Sequence, residues 1–347
     1  MAYVLLTGST GLVGRHLLRD LLSSGHRVAV LARSSKLQSA RERIEVIMSH
    51  WEREAGRALC RPVVLEGDLL AENLGLDAST RQWIADNCDA ILHNAASMTF
   101  RADEQGEPFR TNVDGMQRVL EMCRETGIRQ FHHVSTAYLC GLREGLILES
   151  ELDEGQQLGN VYEQSKLAAE KLVRAADFLD QLTVYRPGSV IGDSQTGYCT
   201  SLHGFYLPLQ LAYAVANLVP PEFMNERFSA RLGLTGNEGK NLVPVDWLSA
   251  AIVRLFGNPA HHGQTYHLAS PQPVSVKLIQ EVIQEAIHTY CDRKPDKPLN
   301  DEELAGVEEL FYEHMLIYQS HWRNDPTFDV TNTQRALPDL PCPEMDR

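Results

Sequence analysis

Tyr162-Glu163-Gln164-Ser165-Lys166 places a phenol and an ammonium four residues apart, on one face of a helix that begins just before them. A phenol ordinarily titrates at about 10 and is a poor acid-base group at neutral pH; an adjacent ammonium favours its phenolate and lowers that pKa. Alone, the spacing is common in ordinary exposed helical pairs. Its weight comes from Phe131–Val134, which reads as a buried strand ending in Ser135-Thr136-Ala137-Tyr138. Hydroxyls at the carboxyl end of such a strand face the crevice where doubly wound sheets bind ligands. A hydroxyl there can donate a hydrogen bond to a substrate carbonyl while the tyrosine delivers a proton to it.

A second cluster sits at the start of the chain. Thr7-Gly8-Ser9-Thr10-Gly11-Leu12-Val13-Gly14 falls where a first strand turns into a first helix. Its three glycines permit a tight turn, close backbone approach to a pyrophosphate and tight helix–strand packing. The exposed N–H groups and helix dipole then hold phosphates without a cationic side chain. At the end of the second strand, an acid would bind the ribose hydroxyls of NAD. Leu31-Ala32-Arg33-Ser34-Ser35-Lys36 offers none, and Arg33, helped by the serines and Lys36, suits a 2′-phosphate instead. NADP(H) is therefore the expected cofactor; the bland alternative makes Arg33 and Lys36 solvated loop charges.

These groups need a scaffold, and the first half of the chain supplies one. Tyr3–Thr7, Arg27–Leu31, Pro62–Glu66, Ala90–His93, Gln130–Ser135 and Leu182–Tyr185 read as strands, several apolar throughout, as expected of strands covered on both faces. Helical spacing runs through Leu12–Ser23, Ala40–Glu54, Thr80–Asn87, Asn112–Thr126 and Val161–Phe178. The alternation predicts an α/β fold, a Rossmann-type doubly wound parallel sheet, over residues 1–192. Strand and helix return at about 241–269, with Asn241–Val245, Leu248–Phe256 and Tyr266–Ala269. The rest of 193–347 reads as a smaller, mostly helical substrate-binding region. It holds an apolar piece around Leu207–Leu218, a helix Val276–Tyr290 capped by Ser275, and a helix over 301–318 introduced by Asn300.

Composition bounds the partners. The 347 residues are 43% hydrophobic and 22% charged, enough for a sizeable core, with Lys plus Arg at 32, Asp plus Glu at 46 and a formal charge of −14. That balance argues against nucleic acid and against an anionic membrane surface. The seven cysteines show neither metal-knuckle nor C-x-x-C spacing, so reduced thiols in a cytoplasmic protein and no metal site are expected. The opening residues resemble no signal peptide. The longest apolar stretch, Phe205–Val219, is interrupted by Pro208, Gln210 and Asn217 and is too short to span a bilayer.

With these motifs in order, the chain resembles an extended short-chain dehydrogenase/reductase, most closely the branch of thioester reductase domains, carboxylic acid reductase termini and fatty acyl-CoA reductases. The resemblance covers about residues 3 to 290. It rests on Thr7–Gly14, Gly67-Asp68-Leu69, His93-Asn94-Ala95-Ala96, Thr111–Gly115, Val134–Tyr138, Tyr162–Lys166, Tyr185-Arg186-Pro187-Gly188, Asn241–Asp246 and Tyr266–Leu268. It implies that Tyr162 is the proton donor and that Lys166 lowers its pKa and holds the nicotinamide ribose. Thr136 would orient the carbonyl, with Ser135 as helper. The cofactor would lie along Thr7, Gly8, Thr10, Gly11, Leu12, Val13 and Gly14. Asp68 and Leu69 would flank the adenine, Asn94, Ala95 and Ala96 would line the central portion, and Asn112 would support the lysine through a water. A Tyr185–Pro187 turn and Val190 would close over the nicotinamide. His93, His132 and His133 belong to no motif of the family and read as structural.

The resemblance favours NADPH-dependent reduction of an acyl thioester or the derived aldehyde. A nucleotide-sugar epimerase on the same scaffold is the alternative. Dehydratases of this kind carry an acidic pair where Ala137 and Tyr138 stand here, which disfavours dehydration. A non-catalytic NADP-binding regulatory protein is a third reading, weakened because both Tyr162 and Lys166 are present. A thioester would arrive on coenzyme A or a separate carrier protein, and the acidic balance tilts toward a small molecule. The helix over 301–318 leaves a lid, a homodimer face or plain core open.

Overall fold

The computed structural model describes residues 2–200, 206, 210, 233–290, 300–316 and 322–346. In chain order the strands are β1 (Tyr3–Thr7), β2 (Arg27–Ala32), β3 (Val63–Glu66), β4 (Cys88–His93), β5 (Gln130–Val134), β6 (Leu146–Ile147) and β7 (Gln181–Pro187). They continue with β8 (Ser189–Ile191), β9 (Gly239–Lys240), β10 (Leu242–Pro244), β11 (Thr265–Leu268), β12 (Val274–Ser275) and β13 (Thr327–Phe328). The α-helices are α1 (Leu12–Ser23), α2 (Ala40–Ala55), α3 (Ala78–Asn87), α4 (Gly115–Thr126) and α5 (Val161–Arg174), then α6 (Val245–Phe256), α7 (Val276–Tyr290), α8 (Asp301–Leu316) and α9 (Thr331–Ala336).

Seven strands form one parallel sheet in the order β11-β7-β5-β4-β1-β2-β3. The chain winds outward from β1 to β3, then returns to the other side of β1 and winds out through β4, β5, β7 and β11. The reversal lies between β1 and β4, and in open α/β sheets ligands bind outside the carboxyl ends of the strands at that point. The doubly wound sheet expected from the alternation is the one observed.

The sheet's apolar strands are buried because helices cover both faces. One core gathers Leu17, Leu18, Leu21 and Leu22 of α1 with Leu248, Ala251, Ile252 and Leu255 of α6 and with Trp51 of α2. The opposite core joins Leu5, Ile91 and Phe131 of the sheet to Met116, Val119 and Cys123 of α4 and to Ala169 and Val173 of α5. Each fully buried leucine contributes roughly 1.5–3 kcal/mol, so α1, with three leucines at 0% exposure, is fixed firmly beneath the glycine turn.

Several boundaries differ from expectation for visible reasons. The segment expected as one helix from Asn112 begins as a wider turn over Arg110–Asp114, with Asn112 turned inward, before α4 takes regular form. Helix α5 stops at Arg174 rather than Phe178. Strand β7 runs through Pro187, so the expected Tyr185–Pro187 turn is extended strand paired with β11. The Ser275 hydroxyl accepts from the Leu278 N–H at 3.2 Å, and Asn300 Oδ1 accepts from the N–H groups of Glu302 and Glu303 at 3.0 and 2.9 Å. The apolar piece Leu207–Leu218 lies outside the described residues except for Gln210. No described helix is long and apolar enough to cross a membrane.

Candidate active site

A cavity of about 900 Å³ runs along the carboxyl edge of the sheet, from the glycine turn to the ends of β5 and β7. Its first end is built almost wholly from backbone. Gly8 has φ +72°, which strains any other residue, and a Cβ there would stand 2.6 Å from the Ala95 amide nitrogen. A Cβ on Gly14 would stand 2.0 Å from the Gly8 carbonyl oxygen, so α1 enters tight against the turn. Gly11 precedes α1 with no side-chain cap and no acid in the first turn. The first amides of the helix therefore have no anionic or hydroxyl partner of their own and suit an incoming phosphate. Thr7 Oγ1 pins the two strands of the switch point together: it pairs with His93 Nδ1 at 2.9 Å and accepts from the Asn94 and Ala95 N–H groups at 3.2 Å.

Thr7, Gly8, Thr10, Gly11, Leu12, Val13, Arg33, Asp68, Leu69, Asn94, Ala95 and Ala96 all line this end of the cavity. Gly14 does not; it acts through packing. Lys36 does not either, and it stands exposed on the loop beyond Arg33. A further cation, Arg43, lies outside the lining but against the backbone of Arg33. Its Nη1 donates to the Arg33 carbonyl at 2.6 Å, and burial together with the charges of Arg33 and Arg15 pulls its pKa below the ordinary arginine value. Arg33 lines the cavity, and Arg43 stands behind it. A capping box on α2, with Ser39 and Glu42 bonding reciprocally, sets the start of the helix that brings Arg43 there.

The second end is made of side chains. Asn160 Oδ1 accepts from the Glu163 N–H at 2.9 Å while the Glu163 carboxylate takes the Gly159 N–H at 2.7 Å, closing the first turn of α5 around Tyr162. The tyrosine ring lies 5.6 Å from that of Phe100. Thr136 sits in extended backbone just past β5 and lines the cavity with Tyr162 and Lys166. Desolvation and the Glu163 carboxylate push the Tyr162 phenol above its ordinary pKa, and a hydrogen bond with Thr136 opposes them. Lys166 is buried, and its Nζ donates to the Val134 carbonyl at 2.9 Å. Burial lowers its pKa to about 8, opposed by the Glu170 carboxylate. The hydrogen bond from Thr136 pulls the phenol down against desolvation and the Glu163 carboxylate.

Two further placements differ, those of Tyr185 and Ser135. Tyr185 does not line the cavity. It is fully buried two residues below the strand end, with its hydroxyl 2.9 Å from His132 Nδ1, while Pro187 and Val190 do line it. Ser135 lines the cavity but donates its hydroxyl to Glu170 Oε2 at 2.6 Å, away from the carbonyl-helper role. Asn112 is buried, reaching Ser165 Oγ at 2.8 Å and the Ser97 carbonyl at 2.9 Å, so it braces the turn between Tyr162 and Lys166. Behind Lys166, Glu170 also takes Arg186 Nη2 at 2.6 Å and Arg174 Nη2 at 2.8 Å. Its spacing, one turn past Lys166, was the available signal. His93, His132 and His133 are buried in the sheet.

A sequence profile of the male sterility protein family, a family of NAD-binding domains, matches residues 6–252. The chain belongs to that family, within the extended short-chain dehydrogenase/reductases of the thioester reductase-like branch. It is an NAD(P)-binding member. The nonribosomal peptide synthetase asaC of Aspergillus flavus is 25% identical over 97% of the chain, which spans only 34% of that relative's length. The crystal structure of the terminal R domain from the myxalamid PKS-NRPS biosynthetic pathway superposes with a TM-score of 0.75 at 28% identity, covering 100% of this chain and 87% of that one. A UDP-glucose 4-epimerase from Bifidobacterium longum, at 17% identity and a TM-score of 0.65 over 99% of this chain and 94% of its own, shares the fold.

Proposed function

We propose that the chain is an NADPH-dependent oxidoreductase that reduces an acyl thioester, or the aldehyde derived from it, in this cavity. The observation that carries the reading is the pairing of Thr136 with Tyr162, one helical turn from a buried lysine, in a cavity continuous with the glycine turn. The glycine turn fits a pyrophosphate, because a Cβ on Gly8 or Gly14 would meet backbone and the start of α1 carries no cap. Arg33, with Arg43 and Arg15 near it and no acid at the end of β2, favours a 2′-phosphate and so NADP(H) over NAD(H).

NADPH, when bound, would supply hydride to the carbonyl carbon. Thr136 would hold the carbonyl oxygen, and Tyr162 would give it a proton as negative charge develops. Lys166 would hold the ribose and restore the proton of the phenol. Loss of the thiol from the protonated adduct would leave an aldehyde. Residues 1–192, with the returns at 241–269, would bind the cofactor, and 193–347 would complete the acyl end. The relatives include nonribosomal peptide synthetases and aldehyde reductases, and one similar structure is a thiolation-reductase di-domain, which supports a thioester on a carrier protein or on coenzyme A. The epimerase reading rests on likeness of fold alone. The test is NADPH oxidation with a panel of acyl-CoA thioesters, carrier-bound acyl groups, aldehydes and nucleotide sugars. Oxidation matched by thiol release is expected for the thioesters, and turnover of nucleotide sugars alone would overturn the proposal.

A further inference from the structure

Beside Thr136 the cavity wall is backed by a hydrogen-bonded chain that the roles above leave unused. It starts at Asp325, a buried residue far along the sequence. Its Oδ1 accepts from Lys240 Nζ at 2.5 Å, and its Oδ2 accepts from the Tyr138 hydroxyl at 2.8 Å and the Asn241 N–H at 2.7 Å. Three donors, one of them an ammonium, converge on its two oxygens, so Asp325 serves this wall as an acceptor. Lys240 also donates to the Arg323 carbonyl at 3.1 Å, and the Arg323 guanidinium donates to the carbonyls of Gly141 and Leu142. Residues 323–325 are therefore tied to the wall at several points.

That carboxylate fixes the direction of the next bond. Tyr138 has one hydroxyl proton, and it goes to Asp325. The 3.0 Å contact between Tyr138 Oη and Ser189 Oγ must then run from the serine to the tyrosine. Ser189 commits its own proton to Tyr138 and keeps only lone pairs. Its backbone N–H is held by the Asn241 carbonyl at 2.8 Å, and both Ser189 and Tyr138 line the cavity on the side of Thr136.

We propose that Ser189 Oγ is a fixed hydrogen-bond acceptor for the acyl group, recognising an N–H or O–H carried near the reacting carbonyl. Tyr138 and Asp325 are positioning residues that set its polarity. The proposal rests on the thioester-reduction reading above. A freely rotating hydroxyl could accept or donate and would discriminate little. One whose proton is already committed is left unpaired by a plain acyl chain that covers it, and covering an acceptor without a donor is costly.

The experiment compares kcat/KM for NADPH oxidation with butanoyl-CoA, 3-hydroxybutanoyl-CoA and N-acetylglycyl-CoA. One donor-bearing thioester is expected to exceed butanoyl-CoA by about tenfold, the discrimination that an unpaired acceptor produces, and mainly through KM. Which one it is tells whether the donor is O–H or N–H. Ser189→Ala is expected to bring the ratio to about one, and Tyr138→Phe, which frees the Ser189 proton, to lower it with Ser189 still in place. Simple loss of packing would affect all three substrates alike. Equal kcat/KM for the three thioesters in the wild type, or an unchanged ratio in Ser189→Ala, overturns the proposal and leaves the reductase reading standing. So does a matching loss of NADPH affinity in Ser189→Ala, which would assign the serine to the nicotinamide. No oxidation with any thioester overturns both.

Discussion

The two ends of the cavity are built by different means. At the glycine turn, backbone would do the binding, within eight consecutive residues and one neighbouring strand end, where a Cβ on Gly8 or Gly14 would meet backbone. At the Tyr162 end, side chains do it, drawn from α5, the end of β5, β8 and a segment more than 130 residues further on. The first would be a generic anion cradle, compatible with an acidic protein because its charge is local. The second is a polar wall of committed hydrogen bonds, where chemistry and selectivity would reside. The expectation that follows is separability: lesions at one end should spare the function of the other.

The largest effect is expected at the side-chain end. Tyr162→Phe should lower kcat by about a thousandfold, within the range for loss of a general acid, and leave the NADPH dissociation constant nearly unchanged in a fluorescence titration. Gly14→Ala should do the reverse. Its Cβ would overlap the Gly8 carbonyl, forcing the turn open at roughly 3 kcal/mol; NADPH should bind about a hundredfold more weakly by calorimetry. Arg33→Asp is a milder lesion of the same end. The ratio of NADPH to NADH affinity should fall by about tenfold or more, the worth of one charge-assisted contact, and an unchanged ratio would remove the 2′-phosphate assignment.

Lys166 lies between the two ends, and its titration gives the smallest effect. Its pKa in the fold is about 8, below the ordinary lysine value. As pH rises through about 8 the ammonium is lost, so kcat/KM should decline there with the slope of one proton. The stability contribution has the opposite sign. The unfolded chain binds more protons than the fold between about 8 and the ordinary 10.5, so over that window this group makes the fold more stable as pH rises. A fall in activity without a fall in Tm across pH 8 to 9 is the expected signature.

The sheet was legible in sequence because its strands are covered on both faces and carry runs such as Val4-Leu5-Leu6, where no alternation has to be decoded. The glycine turn was legible because its geometry is local. Lys36 was misplaced because charge alone does not say which way a loop residue points, and Arg43 was missed because a helix had to carry it back beside Arg33. Tyr185 was misjudged by depth: the strand continues to Pro187, so the tyrosine lies inside the sheet. Glu170, which accepts a hydrogen bond from the Ser135 hydroxyl, and Asp325, which accepts one from that of Tyr138, act across 35 and 187 positions. No periodicity reports such partners; only the packed fold brings them together.

The most direct test of thioester reduction follows the hydride itself. NADPH deuterated at the transferring C4 position is incubated with an acyl-CoA turned over by the wild type, and the products are read by mass spectrometry alongside thiol release. One deuterium at the aldehyde carbon for each thiol freed is the predicted result. Thiol release without deuterium in the product, or deuterium kept in the cofactor while a nucleotide sugar is epimerised, would contradict the account.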